Sequence, residues 1–245
     1  MVINAQATPV MANDVIAHIK KITDKQIKYI LLTHYHAVRA LGATAFKGTE
    51  ILASDATRGL LAERGKEDMD SEIGRFPRLF RSAEAIPGLT WPTMTFPDQI
   101  SIWLGRGEVR IMHIGRGHTA GDVIAIVPDA GVVFSGDLVE YKSACYCGDA
   151  HFTDWLTTLD HLAELQAKAL VPGRGAALAT PDMVKEAIEL TGDFIATLYN
   201  SVKESVANGS SLKDTFDYAR VTMDPRFKGL AIYEHCLPFQ CRACL

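Results

Sequence analysis

Apolar residues recur at helical spacing near the start of the chain, and a continuous apolar run follows them. Over residues 14–22 the apolar positions are Val15, Ile16, Ile19 and Ile22. This spacing predicts a helix. The run over 28–33 predicts a strand buried on both faces, as is typical of strands covered by helices. In open α/β sheets ligands bind at the carboxyl ends of such strands.

Short strands and helices continue through the first half of the chain. The pattern predicts a short helix over 40–46, a strand over 50–54 and one or two amphipathic helices over 57–81. Prolines punctuate the segment that follows, and its short apolar runs predict an antiparallel meander. These runs lie at 100–104, 109–113 and 123–127.

The second half continues the alternation of strands and helices. Its predicted elements are a strand over 132–134, a helix over 155–165, a strand over 169–171, a helix over 180–190, and a closing helical pair over 194–206 and 212–219. Thr180 is the predicted N-cap of its helix, with Pro181 at the first helical position. Because no linker or repeat interrupts residues 1–245, we predict one domain, with motifs within 2–176 and a helical extension over 177–245.

Composition narrows the class of protein. The 245 residues are 48% hydrophobic and 22% charged with a formal charge of −4, which is typical of a soluble globular protein and excludes disordered, collagen-like and coiled-coil chains. The slight acidic balance predicts neither a nucleic acid nor a membrane as partner. No membrane-spanning run of roughly 18 apolar residues and no signal peptide is visible, so we predict a cytoplasmic protein. Five cysteines, an odd number, do not form a disulfide framework.

Four short motifs that could bind a metal or an anion accompany the predicted strands. They are Thr33-His-Tyr-His36, Gly117-His-Thr-Ala-Gly-Asp122, Ser135-Gly-Asp137 and Pro172-Gly-Arg-Gly175. Each motif alone is weak, because a single histidine at a strand end is more often structural and Gly-Asp pairs are common in turns. Together, at four strand ends, they indicate a metal site.

The order and composition of these motifs resemble the metallo-β-lactamase superfamily. The resemblance covers residues 2–176 and implies an α/β (α+β) fold, an αββα sandwich, with one or two metal ions at the sheet edge. It implies that His34, His36 and His118 hold the first metal. Asp137 corresponds to the carboxylate that usually bridges two metals.

Three positions depart from the family pattern together. Val38 and Arg39 stand where the motif has Asp and His, and Arg174 stands where it has a late His. In the family those residues hold the second metal. Because the first-site histidines are all kept, we predict a mononuclear site.

Three imidazoles leave a tetrahedral Zn²⁺ with one open position, and the pKa of a water bound there can fall to about 7. We therefore expect one zinc ion per chain, with iron or manganese as alternatives. Val38 can neither hold nor deprotonate that water. Asp137 is the candidate to take over, as a fourth ligand or as a hydrogen-bond acceptor.

Arg39 and Arg174 are candidate catalytic residues with two possible roles. A guanidinium matches a carboxylate or phosphate bidentately, so the pair could clamp an anionic small-molecule substrate or a developing oxyanion. Alternatively, each arginine pairs with Asp137, Asp122 or Glu140 and fills the abandoned metal position. The sequence leaves both interpretations open.

Three functions fit these residues. The first is a metal-dependent hydrolase of an anionic ester, thioester or lactone, and the second is an inactive member of the fold that only binds a ligand. The third is a mononuclear iron persulfide dioxygenase, since His34, His118 and Asp137 make a two-histidine, one-carboxylate set. The segment Cys145-Tyr-Cys-Gly148 weakly resembles a Cys-Gly motif of those oxygenases.

The two ends of the chain carry weaker signals. Cys236, Cys241 and Cys244 have a spacing seen in iron–sulfur proteins, but no fourth cysteine follows at a fixed spacing, so we predict no cluster. Residues 2–9 resemble the strand and turn that follow an initial hairpin in the family. We therefore expect the first strands of the fold to be missing, and the abrupt tail over 240–245 to be a truncated end.

Overall fold

A computed structural model describes residues 1–234 and 236–237, and its internal contacts divide the chain into two compact units, Met1–Ile100 and Ser101–Leu245. Each unit combines a sheet with helices. The prediction of one domain stays a prediction.

The sheet of the first unit is parallel throughout. Its strands, in spatial order, are β1 (Val2–Ile3), β2 (Tyr29–Leu31), β3 (Glu50–Ser54) and β4 (Met94–Phe96). The strand predicted at 50–54 is confirmed, and the strand predicted at 28–33 is confirmed with shorter bounds, 29–31. The sequence did not reveal β4, because it is three residues long and lies among prolines. Since all four strands run the same way, their carboxyl ends share one edge of the sheet.

The helices of the first unit are α1 (Pro9–Ile22), α2 (Ala37–Ala40) and α3 (Asp55–Arg75), with a 3₁₀ turn (Leu41–Ala45) directly after α2. The predicted start of α1 at residue 14 was late, because Thr8 caps the Met11 N–H and Pro9 occupies the first turn. The charged stretch after β3 forms one long helix, whose N-cap Ser54 accepts from the Thr57 N–H.

The chain between β1 and α1 turns tightly over the 3₁₀ turn. Asn4 and Gln6 have positive φ angles of 59° and 71°. Gly42 lies so close that a Cβ there would stand 2.1 Å from the carbonyl oxygen of Ala5. Glycine at this position therefore permits the close approach that fixes Asn4, a residue that bears on the site described below.

The second sheet has the strand order β5 (Gln99–Leu104), β6 (Gly107–Met112), β7 (Ile124–Val127), β8 (Val132–Glu140) and β9 (Ala169–Arg174). The β6–β7 pair is antiparallel, which confirms that part of the predicted meander. The β7–β8 pair is also antiparallel, and β8–β9 is parallel. The predicted end of a strand at Phe134 was wrong. β8 continues to Glu140 through two register shifts, so the Ser-Gly-Asp motif lies inside a bulged strand.

The long helices in the described part of the second unit are α4 (Phe152–Glu164), α5 (Pro181–Ala207) and α6 (Leu212–Phe227). The predicted N-cap is confirmed, since the Thr180 side chain accepts from the Met183 N–H. The predicted break in α5 between 190 and 194 was wrong. Gly192 continues the helix, and a Cβ there would meet Leu159 of α4 at 3.6 Å, so this glycine lies at a helix contact.

The last helix is also longer than predicted, because it continues beyond Ala219 to Phe227. Its buried face comprises Thr215, Ala219, Met223 and Phe227. The Phe227 ring packs edge to face on Phe194 of α5, with centroids 5.1 Å apart. Over the described part of the chain, no helix is both long enough and apolar enough to cross a membrane.

Candidate metal centre

The first motif follows β2 in the first unit. His34 and His36 are both buried, at 0% and 1% exposure, and their rings meet edge to face with centroids 4.9 Å apart. Two buried imidazoles so close together place two potential metal ligands at the carboxyl end of the strand. The strand-end position predicted for them is confirmed.

A chain of hydrogen bonds fixes the tautomer of His34. The Oδ1 atom of Asn4 accepts from the Thr33 N–H at 3.0 Å and from the Thr33 hydroxyl at 3.1 Å. Because the single hydroxyl proton of Thr33 is donated there, its oxygen accepts from Nδ1–H of His34 at 3.0 Å. Nε2 of His34 therefore carries the lone pair, as a metal ligand requires.

Asn4 was not among the residues singled out in the sequence. It directly follows β1 and lies 29 residues before Thr33 in the sequence. The pairing of β1 with β2 brings Asn4 and Thr33 together. The Asn4 N–H donates to the Leu31 carbonyl at 2.8 Å, which continues that pairing.

Two carboxylates of α3 hold the turn that carries the histidines. Asp68 accepts from the Ala37 N–H at 3.0 Å, and Glu72 accepts from the Val38 N–H at 2.9 Å. These N–H groups belong to the first turn of α2, where intrahelical acceptors are lacking. The signal that could have revealed the two acids is their spacing of four, which places them on one face of α3.

Glu72→Gln replaces a charged acceptor with a neutral one at the same place. We expect a stability loss of about 1 kcal/mol, and we expect metal affinity to fall 10- to 100-fold, about the cost of losing a group that supports a ligand. Thermal unfolding and zinc competition titration measure the two effects. Glu67→Gln, on an exposed position of the same helix, is the matched control. Equal affinities for the two variants would contradict the supporting role of Glu72.

In the second unit, Gly117 allows His118 to lie against the core. A Cβ on Gly117 would stand 2.4 Å from Leu138 and 3.0 Å from the ring of Trp155. The His118 ring is 1% exposed, and its centroid lies 5.7 Å from that of Trp155. Trp155 is itself held by its Nε1–H, which donates to the Leu138 carbonyl at 3.0 Å.

Asp122 shapes the loop that carries His118. Its carboxylate accepts from the Thr119 N–H and from the Thr119 hydroxyl, each at 2.8 Å. Its carbonyl oxygen lies 2.7 Å from Nδ1 of His113. Asp122 is therefore a loop-forming residue, and His113 supports the same loop from the end of β6.

Arg174 joins two buried carboxylates. Its Nη1 atom lies 2.9 Å from Oδ2 of Asp137 and 2.5 Å from Oε1 of Glu140. Burial opposes the charged form, but the carboxylates of Glu140 and Asp137 outweigh it and raise the pKa of Arg174 above its ordinary value. Of the two roles left open for Arg174, these contacts favour the ion pair. Oδ2 of Asp137 also lies 3.8 Å from Nε2 of His118.

The cysteines near this region are buried. Cys145, Cys147 and Cys236 all have reduced, buried sulfur atoms. Burial, and next the carboxylate of Glu140, raises the pKa of Cys145 well above its ordinary value, which favours the unreactive thiol. Cys241 and Cys244 lie outside the described residues, as do His235 and the rest of the tail from 238 to 245.

His34 and His36 in the first unit and His118 in the second are all buried histidines, and each offers a ring nitrogen that could bind a metal ion. A family model for the metallo-β-lactamase superfamily matches residues 7–174. The chain belongs to the metallo-β-lactamase superfamily.

Curated relatives in the superfamily are distant. A linear primary-alkylsulfatase of Pseudomonas sp. is 23% identical over 256 aligned positions, covering 89% of this chain and 47% of that protein. A type 2 metallo-β-lactamase of Bacillus sp. is 24% identical over 170, covering 67% of this chain and 58% of that protein. The chain thus spans about half the length of the curated relatives it matches. By name, the first of these relatives is an alkylsulfatase and the second a β-lactamase.

Solved structures confirm the fold of the superfamily. The metallo-β-lactamase from Pontibacter korlensis matches with a TM-score of 0.62 at 20% identity, covering 79% of this chain and 80% of that one. The predicted α/β sandwich of the metallo-β-lactamase type is therefore confirmed.

Proposed function

We propose that this protein is a metal-dependent hydrolase that holds one metal ion on His34, His36 and His118 and acts on an anionic ester. The observation that carries the proposal is the burial of each of the three histidines in a chain of the metallo-β-lactamase superfamily.

The donor set fits zinc. Neutral imidazole nitrogen is a ligand that Zn²⁺ prefers, and the Thr33 contact leaves the lone pair of His34 on Nε2. When bound, zinc would supply an open coordination position and lower the pKa of a water there to about 7. Iron and manganese are the alternatives that the same nitrogen atoms accept.

The remaining candidates take distinct roles in this proposal. Asp137, 3.8 Å from His118, is the acceptor for the proton of an attacking water. Arg174 carries positive charge, but two carboxylates already share it, so it orients Asp137 and leaves the substrate to other groups. Arg39 is then the proposed cation for the anionic part of a small-molecule substrate.

Among anionic esters, a sulfate monoester is the first class to test. The alkylsulfatase aligns with 89% of this chain, whereas the Bacillus β-lactamase aligns with 67%. Thioesters and lactones follow, and a β-lactam is less favoured because a shared fold does not fix the substrate. The cytoplasmic location stays a prediction from the sequence.

The deciding experiment compares zinc-loaded protein with the same protein after chelation. An alkyl sulfate, a thioester, a lactone and a β-lactam are each offered, and release of sulfate, thiol or acid is followed. We expect turnover of an anionic ester that disappears on chelation and returns with zinc. Zinc-loaded protein that turns over none of the four would refute the hydrolase and favour the ligand-binding alternative. Oxygen consumption with a thiol persulfide would instead favour the iron oxygenase.

A further inference from the structure

Two carboxylates and one guanidinium meet in a buried cluster of the second unit. The side chains of Asp137 and Glu140 are 0% and 1% exposed, and Arg174 reaches both through one nitrogen atom. All three residues lie on the paired strands β8 and β9. With two negative charges and one positive charge, the cluster has a net charge of −1.

The backbone of β8 and β9 brings the three side chains of this cluster together. The register shift in β8 pairs Glu140 directly with Arg174. Gly173 lies so close to Asp137 that a Cβ there would stand 2.3 Å from its Oδ1 atom. The next glycine, Gly175, has a φ of +101°, a conformation that other residues rarely adopt. The carboxylate of Asp137 is therefore pressed against the strand that carries the guanidinium.

Helix α5 fixes the backbone of Glu140. The Thr191 hydroxyl contacts both backbone groups of Glu140, since its oxygen lies 3.2 Å from the N–H and 3.1 Å from the carbonyl oxygen. Thr191 is 1% exposed. Glu140 is thus held by a helix while its side chain holds Arg174.

A cation is needed where Arg174 stands. Two buried carboxylates side by side repel each other, and an uncompensated buried charge is destabilising. Carboxylate oxygens are ligands of divalent metal ions, so without the guanidinium this place would suit such an ion. The guanidinium and a metal ion are therefore competitors for one position.

We propose that Glu140 is a positioning residue, which shares the Arg174 guanidinium with Asp137 so that this guanidinium stands in place of a second metal ion. The inference rests on the proposed function, because it concerns the carboxylate beside the metal that the histidines hold. It explains how Asp137 stays oriented beside a single metal. The proposed role of Glu140 is distinct from substrate binding.

The experiment titrates the full chain with excess Co²⁺ and counts bound ions by absorption and elemental analysis. We expect one cobalt ion per wild-type chain and two per chain of Arg174→Met, because that variant exposes both carboxylates to the solution ion. The Arg174→Lys variant keeps a positive charge at this position and should bind one cobalt ion per chain. The double variant Arg174→Met/Glu140→Gln should bind one cobalt ion per chain, which would show that the second ion of Arg174→Met depends on Glu140.

Arg226→Met is the matched control, because Arg226 pairs with Asp193 on the exposed surface. It should bind one cobalt ion. Two ions on the wild-type chain, or one ion on a folded Arg174→Met chain, would overturn the inference while leaving the hydrolase proposal standing. If Arg174→Met does not fold, the wild-type count decides, since one ion supports the inference and two overturn it. No cobalt on the wild-type chain would overturn the metal site itself.

Discussion

His118→Ala is expected to lose both the bound metal and the turnover of the wild-type chain. The substitution removes one of three proposed nitrogen ligands, and a two-histidine site in the same place lacks the donors for a tetrahedral zinc. Bound zinc should fall from about one ion per chain to background, and activity should fall with it. Elemental analysis and the ester assay, on the same preparation, measure both.

His18→Ala is the control for this prediction. His18 is exposed on α1, so its loss should leave zinc content, activity and thermal stability unchanged. A folded His118→Ala protein that keeps its zinc and its activity would contradict the proposal that the three histidines hold the metal.

Gly173→Ala is expected to damage both stability and the site. Its new Cβ would stand 2.3 Å from Oδ1 and 2.8 Å from Cα of Asp137, and a backbone atom cannot move aside cheaply. We expect a stability loss of about 1–3 kcal/mol, as for other overpacked positions, together with reduced activity because Asp137 is displaced. Denaturant unfolding measures the first effect and the ester assay the second.

The matched control is Gly59→Ala in α3. A Cβ there meets no heavy atom within 4 Å, and the position is helical and exposed. Alanine should therefore raise stability by about 0.5–1 kcal/mol. If Gly173→Ala were as stable and as active as Gly59→Ala, the close packing of Gly173 on Asp137 would be refuted.

The parts of the fold that the sequence predicted are those with strong local patterns. The strand over 50–54 has its predicted bounds, and the N-cap at Thr180 is where a hydroxyl and a following proline indicated it. Both features depend on residues close together in the chain. The strand-end histidine motif was visible for the same reason.

The missed features depend on tertiary contacts. The sequence predicted two helices with a break between residues 190 and 194, but α5 is continuous there, and Gly192 lies against α4. Asn4, Asp68 and Glu72 support the His34–His36 turn from segments 29 to 34 residues away, where no local pattern marks them. Tertiary context overrides local propensity at these positions.

Glu140 shows the same limit at the candidate site. The sequence raised it only as one of three possible partners for an arginine, because the register shifts in β8 cannot be inferred from a short apolar run. Once the strand is seen to continue to Glu140, the pairing with Arg174 follows directly. The anion-clamp interpretation of Arg174 loses its support, and Arg39 remains as the proposed substrate cation.

The most direct test of the central claim is the metal content of wild-type protein purified without added metal. The account predicts about one zinc ion per chain, retained through gel filtration and removed by chelation with loss of activity. Folded, wild-type protein that contains no metal and takes up none from a zinc solution would contradict it.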